Sequence, residues 1–359
     1  MGEERKGRLP FRHLTWTDRL RIEKMLKAGH TSQEIADTLR VNVSTINREK
    51  KRGATVQMDS ELRTKVVYTA DRAHAKYREN MKAKGPELKI GNDRELADYL
   101  EKKIRDDKYS PEAALAAAKE EGKMEETSIS KWTLYSYIRK GIFMSLSMAD
   151  LPQGGKTKVK HKKVKRGKRA PAGDSIEQRP AEVDTRETFG HWEMDTVVSA
   201  KETSLKRLLV LSERKTRQEL VVLMNNGEAE SVVAAINQIE LKLGPESFRK
   251  IFRMITVDNG VEFADCAGIQ GGTDEQRRTH VFYCHPYRSG ERGLNENSNR
   301  LIRRHWPKGT SFEAVTEAQV QKVEDWINNY PRGILDHDCS RKRFEKELLS
   351  IGARWFDAA

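Results

Sequence analysis

The sequence predicts a multidomain chain of 359 residues, all-α in its N-terminal part and α/β in its C-terminal part. Three observations predict it. Amphipathic runs with helix-start signals fill residues 14–53 and 92–142. Residues 151–173 carry nine basic and no acidic side chains, and beyond them apolar runs of strand length alternate with helical ones. The length alone exceeds what one hydrophobic core usually accommodates.

Charge is the louder compositional signal. Lys and Arg outnumber Asp and Glu by 67 to 54, and the surplus is local. Residues 1–53 carry a net +6 and residues 151–173 a net +9, together more than the +13 of the whole chain, so the remainder is slightly acidic. Basicity concentrated in two segments favours a polyanionic partner, because each neutralised phosphate releases condensed counterions. No apolar run approaches the roughly 18 to 20 residues of a membrane span, and the N-terminus has no apolar signal core. A soluble protein without a membrane partner is expected. Three cysteines, Cys266, Cys284 and Cys339, form no close pair, which fits a reducing cytoplasm.

Residues 1–54 read as a helix-turn-helix domain. A first helix runs from about Thr17 to Lys27, and Gly29 ends it. Thr31 with Glu34 three residues on forms a capping box for a second, whose apolar stripe is Ile35, Ala36 and Leu39. Ser44 is expected to cap a third, polar and basic helix anchored by Ile46. Arg40 stands in the turn where Gly is common. Trihelical bundles that bind proteins share this pattern. Here Ser44, Thr45, Asn47, Arg48, Lys51 and Arg52 supply the donors and acceptors suited to base edges and phosphates of double-stranded DNA.

Residues 55–90 read as a charged helical connector. Residues 91–150 repeat the order of the first module, with Pro111 opening a short helix and a Ser-initiated helix following, so a second helix-turn-helix-like DNA-binding domain is expected. Its candidate contacts are Lys131, Thr133 and Tyr135; a helical spacer or dimerisation module is the rival reading. Residues 151–180 form a basic linker in which Lys160, Lys162, Lys163, Lys165 and Arg166 are candidate phosphate contacts.

From 181 to 359 the order is three strands (191–198, 206–212, 219–224), a helix (228–243), a strand (252–257), a fifth strand (280–283) and helices over 295–306 and 316–329. An RNase H-like sheet has that order. Asp195 sits inside the first strand, Asp258 ends the fourth, and Glu296 opens a helix. Carboxylates without a nearby set of His or Cys suit Mg²⁺ or Mn²⁺. Phosphodiester chemistry by this route uses two such ions roughly 3.5 to 4 Å apart, clamped by acids distant in sequence. Arg300, Arg303 and Arg304 recur at helical spacing after Glu296 and could hold the strand being cut. Each acid has a rival, Glu193, Glu262 and Glu291 respectively, and spacing alone leaves them open.

The segments S-I-E-Q-R-P-A-E-V-D-T-R-E-T-F-G-H-W-E-M-D-T-V, T-V-D-N-G-V-E-F, F-Y-C-H-P-Y and E-R-G-L-N-E-N-S-N-R-L-I-R-R-H-W-P-K-G-T-S-F resemble the IS30 family of bacterial insertion-sequence transposases. The run L-T-W-T-D-R-L-R-I-E-K-M-L-K-A-G-H-T-S-Q-E-I-A-D-T-L resembles that family's helix-turn-helix. The resemblance implies an RNase H-like DDE core with Asp195, Asp258 and Glu296 as its acids. It implies binding of an element's terminal inverted repeats, cleavage to a 3′-hydroxyl and strand transfer into target DNA, in the bacterial cytoplasm at the nucleoid. A homodimer or larger assembly on DNA is expected, since two ends are cut together. The chain departs from the family after N-N-Y-P-R, where a closing Lys-Thr-Pro motif is absent, and in the polar insert A-G-I-Q-G-G-T-D-E-Q-R-R-T, which is expected to gain order only on DNA.

Two other classes compete. A transcriptional regulator would use the helical modules but not three convergent acids beside an arginine-rich helix. A zinc module would use Cys266, His280, Cys284 and His285, whose spacings lack the paired short loops of structural zinc sites.

Overall fold

A computed structural model describes residues 12–58, 61–82, 84, 88–154, 173–200, 204–285 and 293–356. The chain divides into two compact units, Met1–Leu88 and Lys89–Ala359. No helix among the described residues is long and apolar enough to cross a membrane.

In the N-terminal unit α1 (Trp16–Lys27), α2 (Ser32–Leu39) and α3 (Val43–Arg52) surround Ile22, Ile35, Ala36, Leu39 and Ile46. Thr15 with Asp18 and Thr31 with Glu34 form the capping boxes of the first two helices. Arg40 takes the left-handed conformation that ends α2, with φ of 49°, the position where Gly is common. The cap of α3 is Asn42 rather than the expected Ser44: the helix begins at Val43, and the Asn42 side chain accepts from the Ser44 amide at 2.9 Å. Arg19 donates to Glu49 at 2.6 Å, and both are buried, tying α1 to α3.

Residues 54–58 and 61–82, most of them in the stretch expected as a helical connector, contain strands as well as a helix. They form an antiparallel hairpin, β1 (Ala54–Met58) with β2 (Thr64–Tyr68), and then α4 (Ala70–Lys82). The physical reason is local. A-T-V-Q-M and T-K-V-V-Y are rich in β-branched residues, which fit a pleated ribbon better than a helix. Gly53 lets the ribbon leave α3, because a Cβ there would lie 2.4 Å from the Tyr68 ring.

The second unit begins with α5 (Arg94–Arg105), α6 (Pro111–Glu120) and α7 (Lys131–Arg139), capped by Asp93, Ser110 and Ser130. Then follow β3 (Asp174–Ser175), α8 (Glu182–Thr185), β4 (His191–Val198), β5 (Arg207–Glu213), β6 (Glu219–Met224), α9 (Ala229–Leu243), α10 (Pro245–Ile251), β7 (Met254–Val257), α11 (Cys266–Gln270) and β8 (His280–Tyr283). The chain closes with α12 (Gly293–His305), α13 (Glu317–Asn329) and α14 (Ser340–Ile351). The sheet order is β3-β8-β7-β4-β5-β6. The strands β4, β5 and β6 form an antiparallel meander, and β7 and β8 run parallel to β4. Leaving out the short edge strand β3, this is the RNase H-like order.

Alternation along β4 decides which layer each face meets. Trp192 and Met194 pack with Ile236 and Phe248 of α9 and α10. Val197 lies with Leu208, Val210, Ile302, Val320 and Ile327 on the face covered by α12 and α13. The helices α5 to α7 share this second core. Tyr109 meets the rings of Trp326 and Tyr330 at 5.8 and 5.0 Å, Trp326 Nε1 donates to the Asp107 carbonyl at 2.7 Å, and Tyr330 donates to Ser110 at 2.8 Å.

The polar insert before β8 does not wait for DNA. Arg278, fully buried, donates to Glu240 at 3.0 Å, to Asn237 at 2.6 Å and to the carbonyls of Ile269 and Gly268, so a buried charge-assisted network fixes the loop on α9.

Burial pushes the carboxyls of Glu213, Glu219 and Glu324 up to about 7, from 4.5 in an open chain. An acid whose pKa rises on folding adds stability that is complete below about pH 4.5 and is lost as pH climbs through 7. Glu324→Gln removes one such group. Urea unfolding should show this variant gaining on the wild type between pH 5 and 8, by roughly 2–3 kcal/mol; a difference flat with pH would refute the assignment.

Candidate active site

The last registered pair between the parallel neighbours β4 and β7 is Glu193 with Thr256. Asp195 and Asp258 each lie two residues beyond it, so strand parity puts both acids on one face at one level, where β7 has ended. Asn299 Nδ2 donates to Asp195 Oδ2 at 2.8 Å, and the Gly260 amide donates to Asp258 Oδ1 at 2.9 Å. Asn259 donates to the Cys284 carbonyl at 2.7 Å and pins the turn to the end of β8. A Cβ at Gly260 would lie 2.7 Å from the Glu262 carboxylate and 2.9 Å from that of Asp258, so a larger residue there would displace both side chains.

The rivals separate by environment. Glu193 is fully buried; it accepts from Arg214 Nη1 at 2.5 Å and from the Asn295 amide at 3.4 Å, so it braces β4 against the start of α12. Glu262 accepts from the Thr196 hydroxyl at 2.8 Å and lies 3.9 Å from Arg207. Glu291 lies outside the described residues.

On α12 the buried stripe is Leu294, Asn295, Ser298, Leu301 and Ile302. Glu296 is exposed in the first turn, three residues before Asn299 and therefore on the same side of the helix. The structure brings Asn299 onto Asp195, and the β4–β7 register sets Asp258 at the same level just past the end of β7. Among the described residues no three His, Cys, Asp or Glu side chains converge as a metal-holding group, so Glu296 is near by helix face without closing the cluster. The donors present are hard oxygens, and Asn299 Oδ1 is buried beside Asp195 with no hydrogen-bond partner among the described residues. Such a set fits Mg²⁺ or Mn²⁺.

The three arginines of α12 divide. Arg300 is exposed and donates to Asn297. Arg303, half-buried, donates to the Val198 carbonyl at 2.7 Å, and Arg304 donates to the Lys108 carbonyl at 3.1 Å with its guanidinium 5.1 Å from the Tyr330 ring. These two strap α12 to β4 and to the turn before α6, a structural use that sequence spacing had not separated from DNA contact.

On α3, Ser44, Asn47, Arg48 and Lys51 are exposed, Thr45 is half-buried, and Arg52 pairs with Glu49. On α7, Lys131 pairs with Glu112 at 3.0 Å, Thr133 meets Ser130 at 3.0 Å, and Tyr135 is half-buried against the core. Lys160, Lys162, Lys163, Lys165 and Arg166 lie outside the described residues. The zinc reading finds no support among the described residues: His280 pairs with Asp174 at 2.7 Å, His285 with Glu177 at 2.9 Å, and Cys266 and Cys284 are buried thiols. Sequence reasoning missed Asn299 and Arg214; the first was open to discovery, because it sits one helical turn from Glu296.

Residues 11–53 match the family described as "Helix-turn-helix domain". Along almost its whole length the chain is similar to curated bacterial proteins. The "Probable transposase for insertion-like sequence element IS1161" of Streptococcus salivarius is 30% identical over 93% of this chain and 95% of its own. The "Transposase for insertion sequence element IS4351" of Bacteroides fragilis is 28% identical over 93% and 96%. The "Transposase InsI for insertion sequence element IS30A" of Escherichia coli (strain K12) is 28% identical over 93% and 84%. Similarity sustained through both the helix-turn-helix and the carboxylate-bearing sheet places this chain in the IS30 family of insertion-sequence transposases.

Proposed function

We propose that this transposase binds the terminal inverted repeats of its element and works as a DDE polynucleotidyl transferase, with Asp195, Asp258 and Glu296 as the acids that hold two Mg²⁺ or Mn²⁺ ions. The observation that carries the reading is the register that sets Asp195 within β4 level with Asp258 directly after β7, its parallel neighbour, with Asn299 of α12 bonded to Asp195. Bound divalent ions would supply charge neutralisation at the phosphodiester and a more acidic water. The reaction is hydrolysis that leaves a 3′-hydroxyl, then attack of that hydroxyl on a second phosphodiester, each an in-line displacement without a covalent protein intermediate.

The chain's own residues orient and hold. Asn299 fixes Asp195 through Oδ2, which leaves Oδ1 outside that bond; the Gly260 amide does the same for Asp258 at Oδ1. Arg300, on the exposed side of α12, contacts the DNA strand next to the acids. Ser44, Thr45, Asn47, Arg48, Lys51 and Arg52 of α3 engage the repeat, and Lys131, Thr133 and Tyr135 of α7 and the basic linker add contacts. Two ends cut in concert imply a dimer or larger complex, which mass measurement on the DNA-bound protein would reveal.

The test uses the full chain with a duplex carrying the element's end, in Mg²⁺ or Mn²⁺. Products ending in a 3′-hydroxyl and joined products are expected, both lost with chelator; absence of either product with both ions would sink the reading. In the same assay Asn299→Ala should slow cleavage about 10- to 100-fold and raise the Mn²⁺ concentration for half-maximal rate, with duplex affinity kept. An unchanged Mn²⁺ dependence would remove Asn299 from the site. A regulator without catalysis is not favoured, because it gives the paired aspartates no use.

A further inference from the structure

The N-terminal unit contains a groove of about 280 Å³ between α3 and α4, and its lining carries five Arg and Lys side chains against one acid. Arg12, Arg48, Arg52 and Lys84 face it together with Thr45 and Asn80. The acid in its lining, Glu49, is fully buried and already bonded by Arg19 at 2.6 Å and by Arg52. Its charge is therefore matched inside the fold. Arg12 is held in place by Asp18 at 2.7 Å and by the Leu39 carbonyl at 2.9 Å, yet its side chain stays 41% exposed. A concave surface of this kind concentrates positive potential and asks for an anion.

The groove sits beside the face of α3 that carries Ser44, Asn47 and Lys51, all exposed. Positions 45, 48 and 52 lie on the flank that turns into the groove. Two sides of one helix thus offer different chemistry: amide, hydroxyl and ammonium groups outward, guanidinium groups into a walled cavity. The opposite wall comes from α4, through Asn80, and α4 lies beyond residue 53, where the helix-turn-helix match ends.

We infer that this groove seats a phosphate of the DNA backbone, so that α3 reads base edges with its outer face while Arg48 and Arg12, backed by α4, anchor the adjoining strand. The inference rests on the reading of α3 as a DNA-contacting helix and assigns α4 a part in it. A phosphate anchor carries no sequence information of its own. It fixes register and strengthens binding to every duplex alike.

The experiment measures dissociation constants of the full chain for a duplex carrying the element's end and for a scrambled duplex, by fluorescence anisotropy over a range of KCl concentrations. Arg48→Ala should weaken both duplexes by the same factor and reduce the slope of log Kd against log salt by about one. Asn80→Glu places an acid in the far wall without touching α3, and it should likewise weaken both duplexes equally with its melting temperature unchanged. Asn47→Ala, on the outer face, should instead narrow the preference for the element's end. If Arg48→Ala and Asn80→Glu leave affinity and salt slope unaltered while the wild type binds, the groove assignment fails and the reading of α3 stands. A loss confined to the element's end would make Arg48 a base reader and overturn the phosphate seat. A wild-type chain that binds neither duplex overturns both.

Discussion

Asp258→Asn is expected to abolish cleavage and joining of the element's end, by about 10³-fold or more, while leaving duplex affinity within about twofold. The magnitude follows from the several kcal/mol of charge stabilisation that a metal clamp supplies, since roughly 4 kcal/mol corresponds to 10³ in rate. Asparagine keeps the size of the side chain and the acceptor for the Gly260 amide, so the turn after β7 should survive and only the ligand charge is lost. Gel assays of cleavage beside anisotropy on the same preparation separate the two effects. Glu262→Gln is the control: Glu262 bonds Thr196 and lies 3.9 Å from Arg207, so its loss should cost far less. Cleavage by Asp258→Asn within tenfold of the wild type would remove this residue from the chemistry.

Much of this arrangement is legible from residue order. Apolar runs of strand length locate β4, β5 and β6; the end of an apolar run at Asp258 and the opening of a basic helix at Glu296 give each acid its element. Parity could go no further, because Glu193 and Asp195 share a strand face and differ only in what covers them. The cover is Arg214, 21 residues away on the turn after β5, and the first turn of α12. The hairpin after α3 was obscured by a different cause. Its strands are five residues long, and Val56, Met58 and Val66 stay exposed, so no buried stripe advertises them within the charged surroundings. The packing of α5 to α7 on α13 rests on Tyr109, Ser110, Trp326 and Tyr330, partners some 220 residues apart, and aromatic side chains at that separation carry no local pattern. Helical spacing alone gave Arg300, Arg303 and Arg304 one role; burial gives them at least two.

The largest stability effect should come from the buried pair that holds the floor of the site. Arg214 donates to Glu193 at 2.5 Å and to the Val183 carbonyl at 3.2 Å, and both members of the pair are buried. Arg214→Met leaves a carboxylate without its counter-ion under α12, and removing one partner of such a pair costs about 3–5 kcal/mol. Denaturant unfolding of the full chain should show that loss in the transition of the second unit. Glu193 also accepts from the Asn295 amide, so the helix that carries Glu296 and Asn299 loses its brace, and cleavage should fall even where the protein remains folded. The double variant Glu193→Gln with Arg214→Met decides between charge and packing. Removing both charges leaves no stranded carboxylate, so at least half of the lost stability should return. A double variant no more stable than Arg214→Met would mean that the guanidinium acts by filling space and bonding the Val183 carbonyl, and that Glu193 is not what it neutralises.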